Sequence, residues 1–135
     1  MSKRSFLILT LLIGCYCLQT PVLNAQELDE RQTIESLFTY MKEGNTSAIL
    51  GILTEPILSK KGPFFRKKSY SHFLKKTYGN ADLYIDKIES IDTDKSSIDV
   101  EINFNDGGPS LKTIYILKKQ EGLWKISQEI LDHSN

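Results

Sequence analysis

The apolar residues of this chain keep one period up to Gly79 and another after it, and that switch fixes the class of fold. Before Gly79 the spacing is helical. Ile34, Leu37, Phe38 and Met41 fall at i, i+3, i+4 and i+7, which predicts a helix over 28–43. Gly44 ends it, and Asn45 or Thr46 caps a second, short helix whose buried side is Ala48, Ile49, Ile52 and Leu53. Pro56 marks the exit from that helix. A third helix is expected over 67–78, with Tyr70, Phe73, Leu74 and Tyr78 on one side and Lys75 and Lys76 facing water. The stretch between, 57–65, reads as irregular: a short strand at Ile57-Leu58, then turn chemistry at Lys60-Lys61-Gly62-Pro63.

After Gly79 the period is two. Leu83 and Ile85 alternate, then Ile88 and Ile91 break parity, so a bulge is expected in the first long strand. Asp92 to Ser96 is a polar turn; its spacing starts like a calcium loop, but Ser97 and Asn103 stand where that loop needs Gly and Glu. Ile98, Val100, Ile102 and Phe104 alternate cleanly with Asp99, Glu101, Asn103 and Asn105, giving one dry and one wet face. Asn105-Asp106-Gly107-Gly108-Pro109 is a hairpin signal. A strand over 111–117 is apolar on both parities, Gln120-Glu121-Gly122 turns the chain, and a last strand runs over 123–131. Helices followed by a meander of strands predict an α+β fold: three N-terminal helices packed on a curved antiparallel sheet.

The N-terminus stands apart from this domain. Lys3 and Arg4 precede an apolar run from Phe6 to Ile13, and Thr20-Pro21-Val22-Leu23-Asn24-Ala25 follows. Charge, a short apolar core and a small residue make the layout of a signal peptide over 1–25, with the working domain at 26–135. The apolar core is shorter than the roughly 20 residues a membrane span needs. Two processing routes stay open. Cleavage after Ala25 releases a periplasmic or secreted protein. Leu12-Ile13-Gly14-Cys15 resembles a lipobox, and lipidation at Cys15 would anchor the chain to a bacterial membrane. Cys15 and Cys17 are the only cysteines, so the domain itself has no thiol for a disulfide or a metal.

Charge is balanced overall, with 17 basic and 17 acidic residues, but it is not evenly spread. Lys60, Lys61, Arg66, Lys67, Lys68, Lys75 and Lys76 crowd one segment, and Asp82, Asp86, Glu89, Asp92, Asp94, Asp99, Glu101 and Asp106 dominate the next. Two solvated faces that partly pair are expected. The neutral balance and the export signal argue against nucleic acid; membrane-surface attachment through the basic stretch is a further hypothesis.

Two stretches carry a resemblance. The helix-turn-helix join Tyr40-Met41-Lys42-Glu43-Gly44-Asn45-Thr46-Ser47-Ala48 and the strand opening Glu121-Gly122-Leu123-Trp124-Lys125-Ile126, in this element order, resemble the nuclear transport factor 2-like superfamily with its cystatin-like cone. The likeness spans residues 28 to 131 and is greatest to the family's small exported bacterial members of unknown function. It implies a cone closed by helices and allows homodimerisation through the sheet. It does not select a function, because this fold hosts enzymes, ligand binders and assembly modules.

The residues favour binding over catalysis. Family enzymes of the isomerase or dehydratase type use a buried carboxylate or His facing Tyr or Asp donors. Here the downstream Asp and Glu residues mostly fall on the polar parity of their strands and are expected in solvent. His72 lies between basic residues and His133 in the tail, with no metal spacing. Phe38, Tyr84, Phe104, Tyr115 and Trp124 are the candidate lining of an apolar pocket, or else filler of the core. The expectation is a non-enzymatic exported domain that binds a small apolar ligand or a protein partner, with no cofactor or metal; the alternative is a small isomerase- or dehydratase-type enzyme. The discriminating feature is a carboxylate, such as Asp82 or Asp86, set deep beside Tyr40 or Tyr115.

Overall fold

The computed structural model describes residues 28–132. Both the signal-peptide reading of 1–25 and His133 fall outside that range. Helices come first: α1 (Glu30–Glu43), α2 (Thr46–Gly51), α3 (Ile57–Phe65) and α4 (Lys68–Tyr78). Strands β1 (Ala81–Asp92), β2 (Lys95–Phe104), β3 (Leu111–Gln120) and β4 (Leu123–Leu131) follow as an antiparallel meander in the order β1-β2-β3-β4. The architecture is the expected α+β one, with four helices instead of three.

The extra helix is a correction. Residues 57–65, read as a short strand and a turn, form α3, with Pro63 inside it. The Lys-Lys-Gly-Pro signal points to a break, yet Ile57, Lys61 and Phe65 repeat at i, i+4 and i+8 and share one helix face. Burial of Ile57 and Phe65 in the core outweighs the one backbone hydrogen bond that Pro63 removes.

Local chemistry explains the other boundaries. Asp29 and Gln32 form a reciprocal capping box at the start of α1. Gly44 closes α1 at φ 66°, and a Cβ there would meet the Ser71 carbonyl oxygen at 2.5 Å. Glycine is therefore required twice, for the left-handed turn and for the approach of α4, whose Ser71 hydroxyl donates to the Gly44 carbonyl. Asn45, rather than Thr46, caps α2. Glu121 and Gly122 both have positive φ, which the two-residue turn from β3 to β4 demands.

The sheet lays one face on the helices. Ile98, Val100 and Ile102 of β2 are buried there with Leu117 of β3 and Ile126 of β4, against Ile34, Leu37, Met41, Ile49 and Leu74 from the helices. A smaller cluster, Phe38, Ala81 and Ile102, closes one end. The expected bulge in β1 is present between Ile85 and Lys87, and a second irregularity lies between Ser90 and Asp92. The strand order leaves β1 and β4 at the two edges. On the β4 edge Ile126 bonds backbone to backbone with Ile52 and Thr54, both at 2.8 Å.

Candidate functional site

Strand β4 contains the feature that builds the site. Leu117 pairs with Ile126, but the next β3 residue back, Ile116, pairs with Gln128. Ser127 is thus an extra residue, a β-bulge, and it is fully buried with its hydroxyl donating to the Glu55 carbonyl at 3.2 Å. Directly opposed residues share a sheet face. Ile126 faces the helices; without the bulge Gln128 and Ile130 would follow it inward. With the bulge the parity shifts, and Glu129 enters the row Ile88, Ile98, Tyr115, Glu129 on the helix side. Glu129 is the exception to the expectation that the downstream carboxylates are mostly solvated; Asp82, Asp86, Glu89, Asp92, Asp94 and Asp106 are exposed.

Lys61 meets this carboxylate. It stands on the inward face of α3, between Ile57 and Phe65, and its Nζ donates to Glu129 Oε2. Ile57, Lys61 and Glu129 line two spaces at once. On one side is an open groove of about 270 Å³, bounded also by Pro56, Lys60, Ser127 and Ile130. On the other is an inner cavity of about 70 Å³, walled by Leu37, Met41, Phe65, Leu74 and three tyrosines, Tyr70, Tyr78 and Tyr115. The ion pair sits where the two spaces adjoin.

The tyrosines are held in the protonated form. Burial pushes the Tyr115 hydroxyl well above its ordinary range, and the charges of Glu129 and its neighbours add to this. Burial, then Glu129, raises Tyr78 to about 12. Tyr70 is raised by burial, with Lys61 opposing and Glu129 adding. A protonated phenol is a hydrogen-bond donor. Among the described residues, no protein group accepts a hydrogen bond from these three hydroxyls.

The five aromatic residues singled out in the sequence are not gathered in one pocket. Tyr115 lines the inner cavity. Phe38 and Phe104 flank Tyr78, with ring centroids at 6.5 and 5.6 Å, and so brace a cavity wall from behind. Trp124 lies toward the other end of β4, where Lys119 covers its ring. Tyr84 stands on the outer sheet face beside Glu101 and is 53% exposed. Asp82 and Asp86 are exposed, and Tyr40 packs against the core. The residues that sequence reasoning missed are Glu129 and Lys61. For Lys61 a signal existed: a lysine between two apolar residues at helical spacing calls for an inward partner. For Glu129 none did, because Ile126, Gln128 and Ile130 mimic an unbroken alternation.

No protein-family model matches the sequence, and no curated protein matches it. Solved structures do. An NTF-2 like protein of unknown function from Silicibacter pomeroyi DSS-3 superposes with a TM-score of 0.53 at 13% identity, over 76% of this chain and 90% of that one. Another NTF-2 like protein of unknown function, from Shewanella oneidensis MR-1, gives 0.50 at 11%, over 73% and 92%. A de novo designed protein with a curved β-sheet gives 0.51 at 17%, over 76% and 98%. The chain has the nuclear transport factor 2-like fold. Within this fold the inner cavity lies between the helices and the concave sheet face, a setting suited to a small ligand. Two of these structural neighbours are themselves of unknown function, so the site has to be read from its own residues.

Proposed function

We propose that this is an exported domain that binds a small molecule at the cavity beside Glu129 and performs no chemistry on it. One observation carries the reading: three phenols kept protonated share a cavity with a carboxylate already engaged by Lys61. The phenols suit a carbonyl or hydroxyl oxygen of the ligand, and Leu37, Met41 and Phe65 suit its hydrocarbon body. A compact ligand fills the inner cavity; a longer one passes Lys61 into the groove. Export rests on the leader alone, and intact mass of the protein from its host tells cleavage after Ala25 from lipidation at Cys15.

Binding is tested by NMR titration of the purified protein with cyclopentanone and cyclopentanol. Shifts at Tyr70, Tyr78, Tyr115 and Glu129 are expected, weakened by Tyr115→Phe. No shift with either probe, or shifts indifferent to Tyr115→Phe and Tyr78→Phe, would sink the reading.

The enzyme reading has one observation in its favour, the bulge that turns Glu129 toward the phenols. Against it, a general base must be free to take a proton, and Lys61 occupies this one. Deuterium uptake from solvent at the carbons beside the cyclopentanone carbonyl, abolished by Glu129→Gln, would replace binding with catalysis. Self-association through the outer sheet face, where Tyr84 and Ile130 are exposed, is a separate proposal. A monomer mass by light scattering at every concentration rules it out.

A further inference from the structure

The helical layer carries a second surface, which meets the ligand site only at Lys60 and Tyr70. No Asp or Glu occurs between Glu55 and Asp82, while Lys60, Arg66, Lys67, Lys68, Lys75 and Lys76 all lie there and all are exposed. Among the described residues none of these six forms an ion pair with the acidic residues of 82–106, so the expected pairing of the two charged segments is not seen. Two large apolar rings stand among these cations. Phe64 is 54% exposed and Phe73 50%. They belong to different helices but to one aromatic run: Tyr70 lies 6.4 Å from Phe64 and 5.4 Å from Phe73, ring centre to ring centre. Tyr70 also meets buried Phe65 at 5.2 Å, which ties the run to the core. Asp106, beside Phe73 and Lys76, marks its acidic border.

We infer that this face of α3 and α4 docks on an anionic phospholipid bilayer, with Phe64 and Phe73 entering the boundary between headgroups and acyl chains and the surrounding cations meeting the phosphates. Benzyl side chains have no polar atom to satisfy, so that boundary accepts them, and lysine and arginine stems flank them with the charge kept at the headgroups. A single-stranded nucleic acid also pairs cations with aromatic rings, but it needs ring faces for base stacking. One face of Phe73 already stacks on Tyr70, and Lys67 Nζ lies 5.4 Å over the ring of Phe64. No described helix is long and apolar enough to cross a membrane, so the contact is made at the surface.

The test is co-sedimentation of the protein purified from its host with vesicles of phosphatidylcholine alone and of phosphatidylcholine mixed with phosphatidylglycerol. Binding to the mixed vesicles is expected, falling about fivefold for each of Lys67→Gln and Lys68→Gln and weakening as salt rises. The pair Phe64→Ser with Phe73→Ser removes the part that salt does not screen. Equal binding to both vesicle types, equal binding by all variants, or binding to a single-stranded oligonucleotide in place of vesicles overturns the inference. Because both phenylalanines are half exposed, circular dichroism of the serine pair should match the parent; if that pair unfolds, the lysine variants decide alone.

Discussion

Strands β2 and β4 belong to the same sheet and face the same helices, yet only one of them builds a site. Strand β2 alternates without interruption from Ser96 to Ile102, every second residue buried. Its charged residues therefore all face away from the helices, its one inward polar side chain, Ser96, donates to Glu30 of α1, and its role is to hold the core. Strand β4 alternates until Ser127, then carries one residue too many, and the same period delivers a carboxylate to the concave side. The comparison teaches that regular alternation yields packing, whereas a single inserted residue re-aims every side chain beyond it.

That contrast can be broken from both strands. On β2, Ile98→Ala removes a fully buried side chain and is expected to cost about 2–5 kcal/mol, read from urea unfolding. A loss below about 1 kcal/mol would deny β2 its role in the core. On the site, Lys61→Met leaves the Glu129 carboxylate without its partner and is expected to cost about 1–2 kcal/mol, less than a fully buried pair because Lys61 is 41% exposed. It should also open the groove to the inner cavity and strengthen cyclopentanone binding. Unchanged stability and binding would make the pair a surface ornament.

Alkaline pH sharpens the contrast further. Tyr70, Tyr78 and Tyr115 hold their protons more tightly folded than unfolded, so their contribution is full below pH 10 and is lost as pH climbs toward about 12, the value for Tyr78. The melting temperature should fall across that window, and tyrosinate absorbance of these three should appear together with unfolding. Independent titration of all tyrosines with no thermal shift would contradict the burial of the site. The smallest effect belongs to β2's outer face. Asp99→Asn should stay within about 0.5 kcal/mol and leave ligand binding alone; a larger change would give the wet face a role it lacks here.

The legible part of the fold was whatever a period could reveal. Helices α1, α2 and α4, the β1 bulge and all four strands follow from apolar spacing, caps and glycine turns. Helix α3 did not, because Gly62 and Pro63 carry break signals that tertiary burial of Ile57 and Phe65 overrides. The site was least legible. The row of aromatics read from sequence is divided in space because Tyr84 and Tyr115 fall on opposite sheet faces, and parity along one strand says nothing about which face another strand turns to the same neighbour. Glu129 was hidden by a bulge at Ser127 that has no glycine to announce it. Lys61 was hidden in a segment read as a turn, where its position on a helix face had no meaning.

The two edges of the sheet have different fates in a crowded compartment. The β4 edge is occupied by the chain's own Ile52 and Thr54. The β1 edge pairs with no further strand among the described residues, only Lys42 of α1 reaching the Ala81 carbonyl at its start, and an unpaired strand edge is a template on which a second molecule can polymerise. Its two register shifts, with Lys87 and Glu89 between them, make that template crooked and charged. The irregularity first read as an interruption of parity is thus a guard against fibril growth, and a variant that straightens β1 by deleting Asp86 should aggregate, seen as thioflavin fluorescence, while the parent stays dispersed.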